Sequence, residues 1–185
     1  LDKEHIRTQC KESLHQFSTT HSGQLRIQAE LQLQKRLIDF LNEERGIWGA
    51  YQPMTYEPRI LETYQQTQNH MRWAYPRVVY SGLDWWVPGK LGFEKGKLGF
   101  QEPKMELATP IPLADVDGIL IPGLGFDRQG MRLGRGRGDF DKTLEKYKGK
   151  KVAVAFSCQV VDRIPSESHD VKMDYVITEK EVISC

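Results

Sequence analysis

The stretch VDGILIPGLGFDRQGMRLGRGRGDFDKTLEKYKGKKVAVAF, residues 116–156, decides the fold. It opens on an apolar run, Val116 to Ile121, suited to a strand buried on both faces. A glycine-rich loop follows. Phe140, Leu144 and Tyr147 then recur at helical spacing, and Val152 to Phe156 is a second buried-strand run. Strand, loop, helix and strand in that order predict a parallel pair with a crossover helix.

The loop itself carries chemistry. Gly134, Gly136 and Gly138 alternate with Arg135 and Arg137. Glycines let backbone N–H groups come close to phosphate oxygens, and the following helix offers the positive end of its dipole. Arg132, Arg135 and Arg137 add forked donors that match phosphate geometry. Asp141, one turn into the expected helix, could hold magnesium directly or through water. Glycine-rich loops are also common turns, and Gly-Arg repeats occur in nucleic-acid-binding tails. The flanking strand and helix, inside a folded-looking chain, favour the phosphate site. Neither GxxxxGK[ST] nor GxGxxG is present.

Working outward, the first third reads as helical. Leu25, Ala29, Leu33, Leu37, Phe40 and Leu41 form one apolar face, with Gly46 as the expected stop. Ile47 to Tyr51 reads as a strand. Glu57-Pro58 is expected to open another helix, with Pro58 near its first position. Trp73 to Tyr80 reads as a strand that Pro76 interrupts or ends. Residues 81–112 read as a long irregular loop in which Gly89-Lys90-Leu91-Gly92-Phe93 recurs as Gly96-Lys97-Leu98-Gly99-Phe100; long loops in compact domains are often functional. Asp174 to Thr178 is a possible third buried strand. The expected architecture is α/β: a single-domain three-layer sandwich over residues 1–185, with a mostly parallel central sheet and an N-terminal helical segment.

Composition is consistent with this. The chain has 185 residues, 26 Lys plus Arg against 25 Asp plus Glu, and 39% apolar residues. That balance argues against a surface that is wholly an electrostatic nucleic-acid binder. Cys10, Cys158 and Cys185 are far apart, without a CxxC pair, so a disulfide framework or zinc knuckle is not expected. No secretory signal is visible at the charged start, and no apolar run approaches a membrane span. A cytoplasmic protein is the expectation, monomeric, with neither nucleic acid nor membrane as partner.

The run from Pro122 to Asp141 resembles the signature of the 5-formyltetrahydrofolate cyclo-ligase family, also called methenyltetrahydrofolate synthetases: PGLAFD or PGLGFD, then GxRLGxGxGYYD. Lys3 and Arg7 resemble the family's N-terminal KxxLR, and Glu57 its acidic residue after the second strand. Glu102-Pro103 resembles IxEP, while Gln159, Ile164-Pro165 and His169-Asp170 resemble QxxxxxPxExHD. The resemblance spans Lys3 to about Glu179. Two departures stand out: Asp139-Phe140 replaces Tyr-Tyr, and Pro58-Arg59-Ile60 follows Glu57.

The resemblance implies ATP-dependent, magnesium-requiring conversion of 5-formyltetrahydrofolate to 5,10-methenyltetrahydrofolate, with ADP and phosphate released. It places ATP on Lys3, Arg7, Arg132, Leu133, Gly134, Arg135, Gly136, Arg137, Gly138, Asp139 and Phe140. It places the folate on Gln52, Met54, Glu57, Arg135, Arg137 and Gly138, with Glu57 and Arg135 catalytic. Asp141 and Asp170 would lie near magnesium. Met54, Tyr80 and Trp86 are candidate walls for a flat pterin, although the four tryptophans more often pack cores or loops. His169 reads as structural, Cys158 as packing, and Asp139 as a helix cap. The rival readings are a non-catalytic nucleotide- or RNA-binding member of the fold, and another phosphate-ester enzyme on a related sheet.

Overall fold

A computed structural model describes residues 2–97, 99–167 and 170–185; the expectation for His169 and part of the second GKLGF copy lie outside them. Helix α1 (Lys3–Thr19) starts where the Asp2 carboxylate accepts the His5 N–H at 2.8 Å, a side-chain cap on an otherwise orphan donor. Its Ile6, Cys10 and Leu14 are buried. Helix α2 (Gln24–Leu41) buries Ala29, Leu33, Leu37 and Leu41. Leu25, expected on that face, is exposed, and Phe40 lies at its edge. Gly46 does not stop this helix. The helix ends at Leu41, and Gly46, at φ +94°, opens strand β1 (Gly46–Gly49), where a Cβ would stand 2.1 Å from the Asp117 carboxylate.

Helix α3 (Leu61–Thr67) begins four residues after the expected site. Glu57 instead accepts the Met54 N–H through its own carboxylate, and the Pro58 carbonyl accepts the buried Tyr51 hydroxyl. Those local bonds hold residues 52–58 as a loop. Strand β2 (Met71–Val79) continues through Pro76. Pro76 is tolerated because β1 pairs with β2 only up to Ala74, so no parallel neighbour needs its missing N–H.

The segment expected to be irregular holds four strands: β3 (Gly82–Val87), β4 (Phe93–Lys95), β5 (Gln101–Pro103) and β6 (Thr109–Ile111). Phe93, the end of the first GKLGF copy, opens β4, and Gly96, Gly99 and Phe100 of the second copy bond across the approach to β5. Strands β7 (Gly118–Ile121), β8 (Gly125–Asp127) and β9 (Arg132–Leu133) come next. Helix α4 (Asp139–Leu144) is six residues long and ends before Tyr147. Strands β10 (Lys150–Val154), β11 (Val160–Val161), β12 (Tyr175–Ile177) and β13 (Val182–Ser184) complete the chain.

The main sheet has eight strands in the order β13-β12-β10-β7-β1-β2-β3-β6. The run from β12 to β2 is parallel, and antiparallel strands finish both edges. The β7–β10 crossover is the one read from sequence. Alternating side chains divide between two cores, as the two-residue period of a strand requires. Leu120, Val152 and Val154 pack with the buried faces of α1 and α2. Ile119, Ile121, Ala153 and Ala155 face Leu144 and Tyr147 on the other side. The sheet is therefore covered on one face by the N-terminal helices and on the other by a thinner layer containing α4. Trp48, Trp73 and Trp85 are core residues. Among the described residues no helix is long and apolar enough to cross a membrane.

Candidate functional site

Strand β7 ends at Ile121, where Pro122 and Gly123 turn the chain out of the sheet. The small sheet β11-β8-β9 then presents the arginine-bearing loop. Asp127 secures it. Its Oδ1 accepts the N–H groups of Gln129 and Met131 at 3.0 and 2.9 Å, and its Oδ2 accepts that of Ile164 at 2.9 Å. One buried carboxylate thus ties the β8–β9 turn to the segment leading to Asp170.

Arg132 leaves β9 beneath this loop. Its Nε donates to the Pro122 carbonyl at 3.0 Å, its Nη1 donates to Asp141 Oδ1 at 2.7 Å, and its guanidinium lies 5.1 Å from the Phe140 ring centre. Burial lowers its pKa, while the Asp141 and Glu57 charges oppose that shift. The guanidinium remains a cation at any physiological pH.

Two recesses meet at this arginine. The first is largely apolar. Tyr51, Pro76, Val78, Leu83 and Phe100 form its walls, and Gln52, Met54 and Glu57 line it from the β1–α3 loop. Arg135, Arg137, Gly138, Asp139 and Phe140 line it from the glycine-rich side. Glu57 is buried, and its Oε1 accepts Arg135 Nη2 at 3.3 Å. The second recess is polar. It is lined by Lys3, Arg7, Leu133, Gly136, Glu167 and Asp170. Arg132, Gly134, Gly138 and Asp141 belong to both.

Helix α1 closes the polar recess. Lys3 Nζ reaches Asp170 Oδ2 at 2.8 Å and Glu167 Oε1 at 3.1 Å, and Arg7 Nε donates to the Gly134 carbonyl at 3.2 Å. Burial works to lower the Lys3 pKa, but the hydrogen bonds to Asp170 and Glu167 leave it raised. The one-turn spacing of Lys3 and Arg7 therefore directs both to a single recess.

The residues on which the resemblance places ATP, folate and magnesium all line one of these recesses, and of the three candidate pterin walls Met54 does. Tyr80 and Trp86 do not: neither lines the cavity, and Tyr80 is fully exposed at the β2–β3 turn. Asp139 is not a cap. The N-cap is Gly138, at φ +76° and without a side-chain cap bond, and the Asp139 carboxylate accepts Arg137 Nε at 2.9 Å. Sequence reasoning missed Phe100 and Gln101, which reach the cavity from the β4–β5 hairpin, and Glu167. The duplicated GKLGF ending in Phe100 was the available signal for the first. Among the described residues no group of three or more His, Cys, Asp or Glu side chains is placed to hold a metal by itself. Asp141 and Asp170 nonetheless line one recess. That suits a magnesium ion completed by phosphate oxygens and water, which needs only one or two protein carboxylates.

The solved structure of 5,10-methenyltetrahydrofolate synthetase from Aquifex aeolicus superposes with a TM-score of 0.77 at 27% identity, covering 98% of this chain and 92% of that one. A Mycoplasma pneumoniae 5,10-methenyltetrahydrofolate synthetase shares the fold, with a TM-score of 0.72 at 21% identity. The 5-formyltetrahydrofolate cyclo-ligase of Mycolicibacterium smegmatis is 37% identical over 146 residues, which are 72% of this chain and 74% of that protein. That of Escherichia coli K12 is 36% identical over 83 residues, so the match spans about half of its length, 46%. The sequence profile of the 5-formyltetrahydrofolate cyclo-ligase family matches residues 1–179, and the chain belongs to that family.

Proposed function

We propose that the chain is an ATP-dependent ligase that cyclises 5-formyltetrahydrofolate to 5,10-methenyltetrahydrofolate and releases ADP and phosphate. The observation that carries this reading is the junction of the two recesses. An apolar, aromatic-walled cavity with the Glu57 carboxylate meets, across Arg132, Gly134 and Gly138, a polar recess in which Lys3 and Arg7 stand among the Asp141, Glu167 and Asp170 carboxylates. A flat apolar ring system with a polar end suits the first, and a polyphosphate the second.

The chemistry needs that adjacency. The formyl oxygen of an amide is a poor leaving group. Attack of that oxygen on the γ-phosphorus of ATP breaks the bond to ADP and leaves the formyl oxygen phosphorylated, with its carbon still bonded to N5 and now electrophilic. N10 of the folate attacks the activated carbon, loses its proton, and the ring closes as inorganic phosphate departs. Such catalysis is mainly positioning and charge stabilisation. Arg135 and Arg132 would neutralise the transferring group, Lys3 and Arg7 the rest of the polyphosphate. Glu57 would hold the pterin end and assist loss of the N10 proton. Asp141 and Asp170 would hold magnesium with the phosphates, where the ion supplies charge neutralisation. Arg132 already supplies a counter-charge at Asp141, so the carboxylate is held in place before any ion arrives.

Residues 1–185 are read as one domain, acting in the cytoplasm as a monomer on small molecules, without nucleic acid or membrane partners. The test is direct. Purified protein with magnesium, ATP and 5-formyltetrahydrofolate should yield the methenyl chromophore and an equal amount of ADP. Nucleotide binding without chromophore would replace this reading with the non-catalytic one.

A further inference from the structure

Glu57 sits on a loop with little regular structure, yet its carboxylate has a fixed position, and the cause lies in helix α2. Arg26 and Glu30, one turn apart, are both largely buried, with side chains 12% exposed. Arg26 Nε donates to Glu30 Oε1 at 3.1 Å. Its Nη1 donates to the Thr55 carbonyl at 2.9 Å and to Ser18 Oγ at 3.1 Å, and its Nη2 donates to the Glu57 carbonyl at 3.0 Å. Glu30 Oε1 in turn accepts the Arg59 N–H at 3.3 Å. The pair therefore grips backbone groups at 55, 57 and 59, on either side of the residue whose side chain enters the cavity. The planar fork serves these acceptors from three separate nitrogens in fixed directions, whereas a lysine ammonium would have to reach them from a single atom. Neither side chain lines the cavity.

We infer that Arg26, braced by Glu30, is a positioning residue for the Glu57 end of the cavity: it sets the height and direction of the Glu57 carboxylate and of the Met54 N–H bound to it. The inference rests on the reading of that cavity as the folate site. A positioning residue on one side of a two-substrate site affects the substrates unequally. Displacing Glu57 weakens what depends on the folate, while Lys3, Arg7 and the glycine-rich loop stay anchored by α1 and Asp127.

The experiment uses the full chain, with Arg26→Lys, Arg26→Gln and Glu30→Gln. Turnover is measured with 5-formyltetrahydrofolate varied at saturating ATP, and with ATP varied at saturating folate. Amide hydrogen exchange is measured at Met54, Glu57 and Arg59. In Arg26→Lys, kcat/KM for the folate should fall on the order of tenfold or more, with KM for ATP within about twofold. Exchange should accelerate at the three loop amides and remain unchanged along α2. Arg26→Gln should behave likewise, and Glu30→Gln should show a smaller loss of the same kind. Unchanged loop exchange in Arg26→Lys overturns the inference whether or not the protein turns over folate. Equal losses for folate and ATP overturn it too, since they mean general damage to the fold. If the wild-type chain makes no methenyl product, the proposed activity fails by itself, and positioning at the cavity falls with it, although the exchange data still report whether Arg26 holds the loop.

Discussion

Arg135 donates to Glu57 across 3.3 Å, joining two loops that are 78 residues apart in sequence. The contact joins a half-buried cation and a buried carboxylate in the lining of one cavity. Each is the other's counter-ion in the absence of ligand. Binding a polyphosphate would draw the arginine toward new acceptors, leaving Glu57 to a cationic or N–H-bearing group of the second substrate. The pair is thus a physical reason for the two substrates to favour each other's binding.

Removal of either partner should be felt at that junction. Arg135→Ala should raise KM for ATP and lower kcat, at a cost of about 1.5–3 kcal/mol if the arginine acts on developing charge. Glu57→Gln keeps the size and loses the charge, so turnover should fall more than ATP affinity. Because the two side chains touch, their effects should not add: the double mutant should fall short of the summed losses by at least about 0.5 kcal/mol. Strict additivity in steady-state kinetics would show that the contact does not couple the two sites.

Asp139, which departs from the tyrosine of the signature this loop resembles, makes a different prediction from the one its sequence position suggests. Its carboxylate is bound to Arg137 and supplies no helix cap. Asp139→Tyr should therefore lose no capping bond and change stability by less than about 1 kcal/mol, the scale of a first-turn acid and its ion pair. It should also release Arg137 for an anion, so ATP should bind more tightly at the same magnesium concentration. A drop in melting temperature with unchanged ATP titration would restore the capping role.

The two strand runs around the glycine-rich loop were legible because a buried parallel strand is apolar on both faces and has few alternatives. The helical face from Ala29 to Leu41 was legible through its period. Residues 81–112 were not. The segment is rich in glycine, lysine and proline, its strands after β3 are short, and they draw their order from long-range partners: Glu102 accepts the Val78 N–H and lies 3.4 Å from Arg77, and Phe93 packs on Tyr75. The start of α3 was misplaced because Glu57-Pro58 looks like a first turn, while Arg26, thirty-one residues earlier, claims the Glu57 carbonyl. For the candidate site, the signature pointed to residues that the fold gathers into two adjoining recesses. Which residues share a recess depended on α1 folding back over the loop, a contact with no local signal.

Lys3 gives a prediction for alkaline pH. Its pKa is raised above the ordinary 10.5 by Asp170 and Glu167, against the opposing effect of burial. A raised pKa means that the folded state holds the proton more tightly. The contribution is fully present below the unfolded value and is lost as pH rises through the folded one. Lys3→Met should cost no more than about 1 kcal/mol, since the side chain is partly exposed and screened. That difference from wild type should be constant across pH 6–9, well below the raised lysine pKa, and should shrink as pH rises through it. Chemical denaturation of both proteins at several pH values measures this; a difference that vanishes between pH 6 and 9 would assign the effect to another group.

Asp127 should be the most sensitive of the loop carboxylates. It is 1% exposed and has both oxygens committed to three backbone N–H groups. Asparagine is nearly isosteric but offers one acceptor and one N–H₂. If its oxygen takes the place of Oδ1, the amide nitrogen faces the Ile164 N–H, donor against donor. If it takes the place of Oδ2, the Gln129 and Met131 N–H groups both lose their acceptor. Either way a buried donor is left unpaired and a charge-assisted bond is gone, at a cost of about 1.5–3 kcal/mol. The loss falls on the elements that carry Arg132 on one side and Glu167 and Asp170 on the other. Asp127→Asn should therefore lower the urea midpoint and raise KM for ATP, while KM for the folate changes less, because the Glu57 loop hangs from α2 instead. Asp127→Ala, which abandons all three donors, should be the less stable of the two. An Asp127→Asn protein with a wild-type urea midpoint would mean that the carboxylate is not what holds these two segments together.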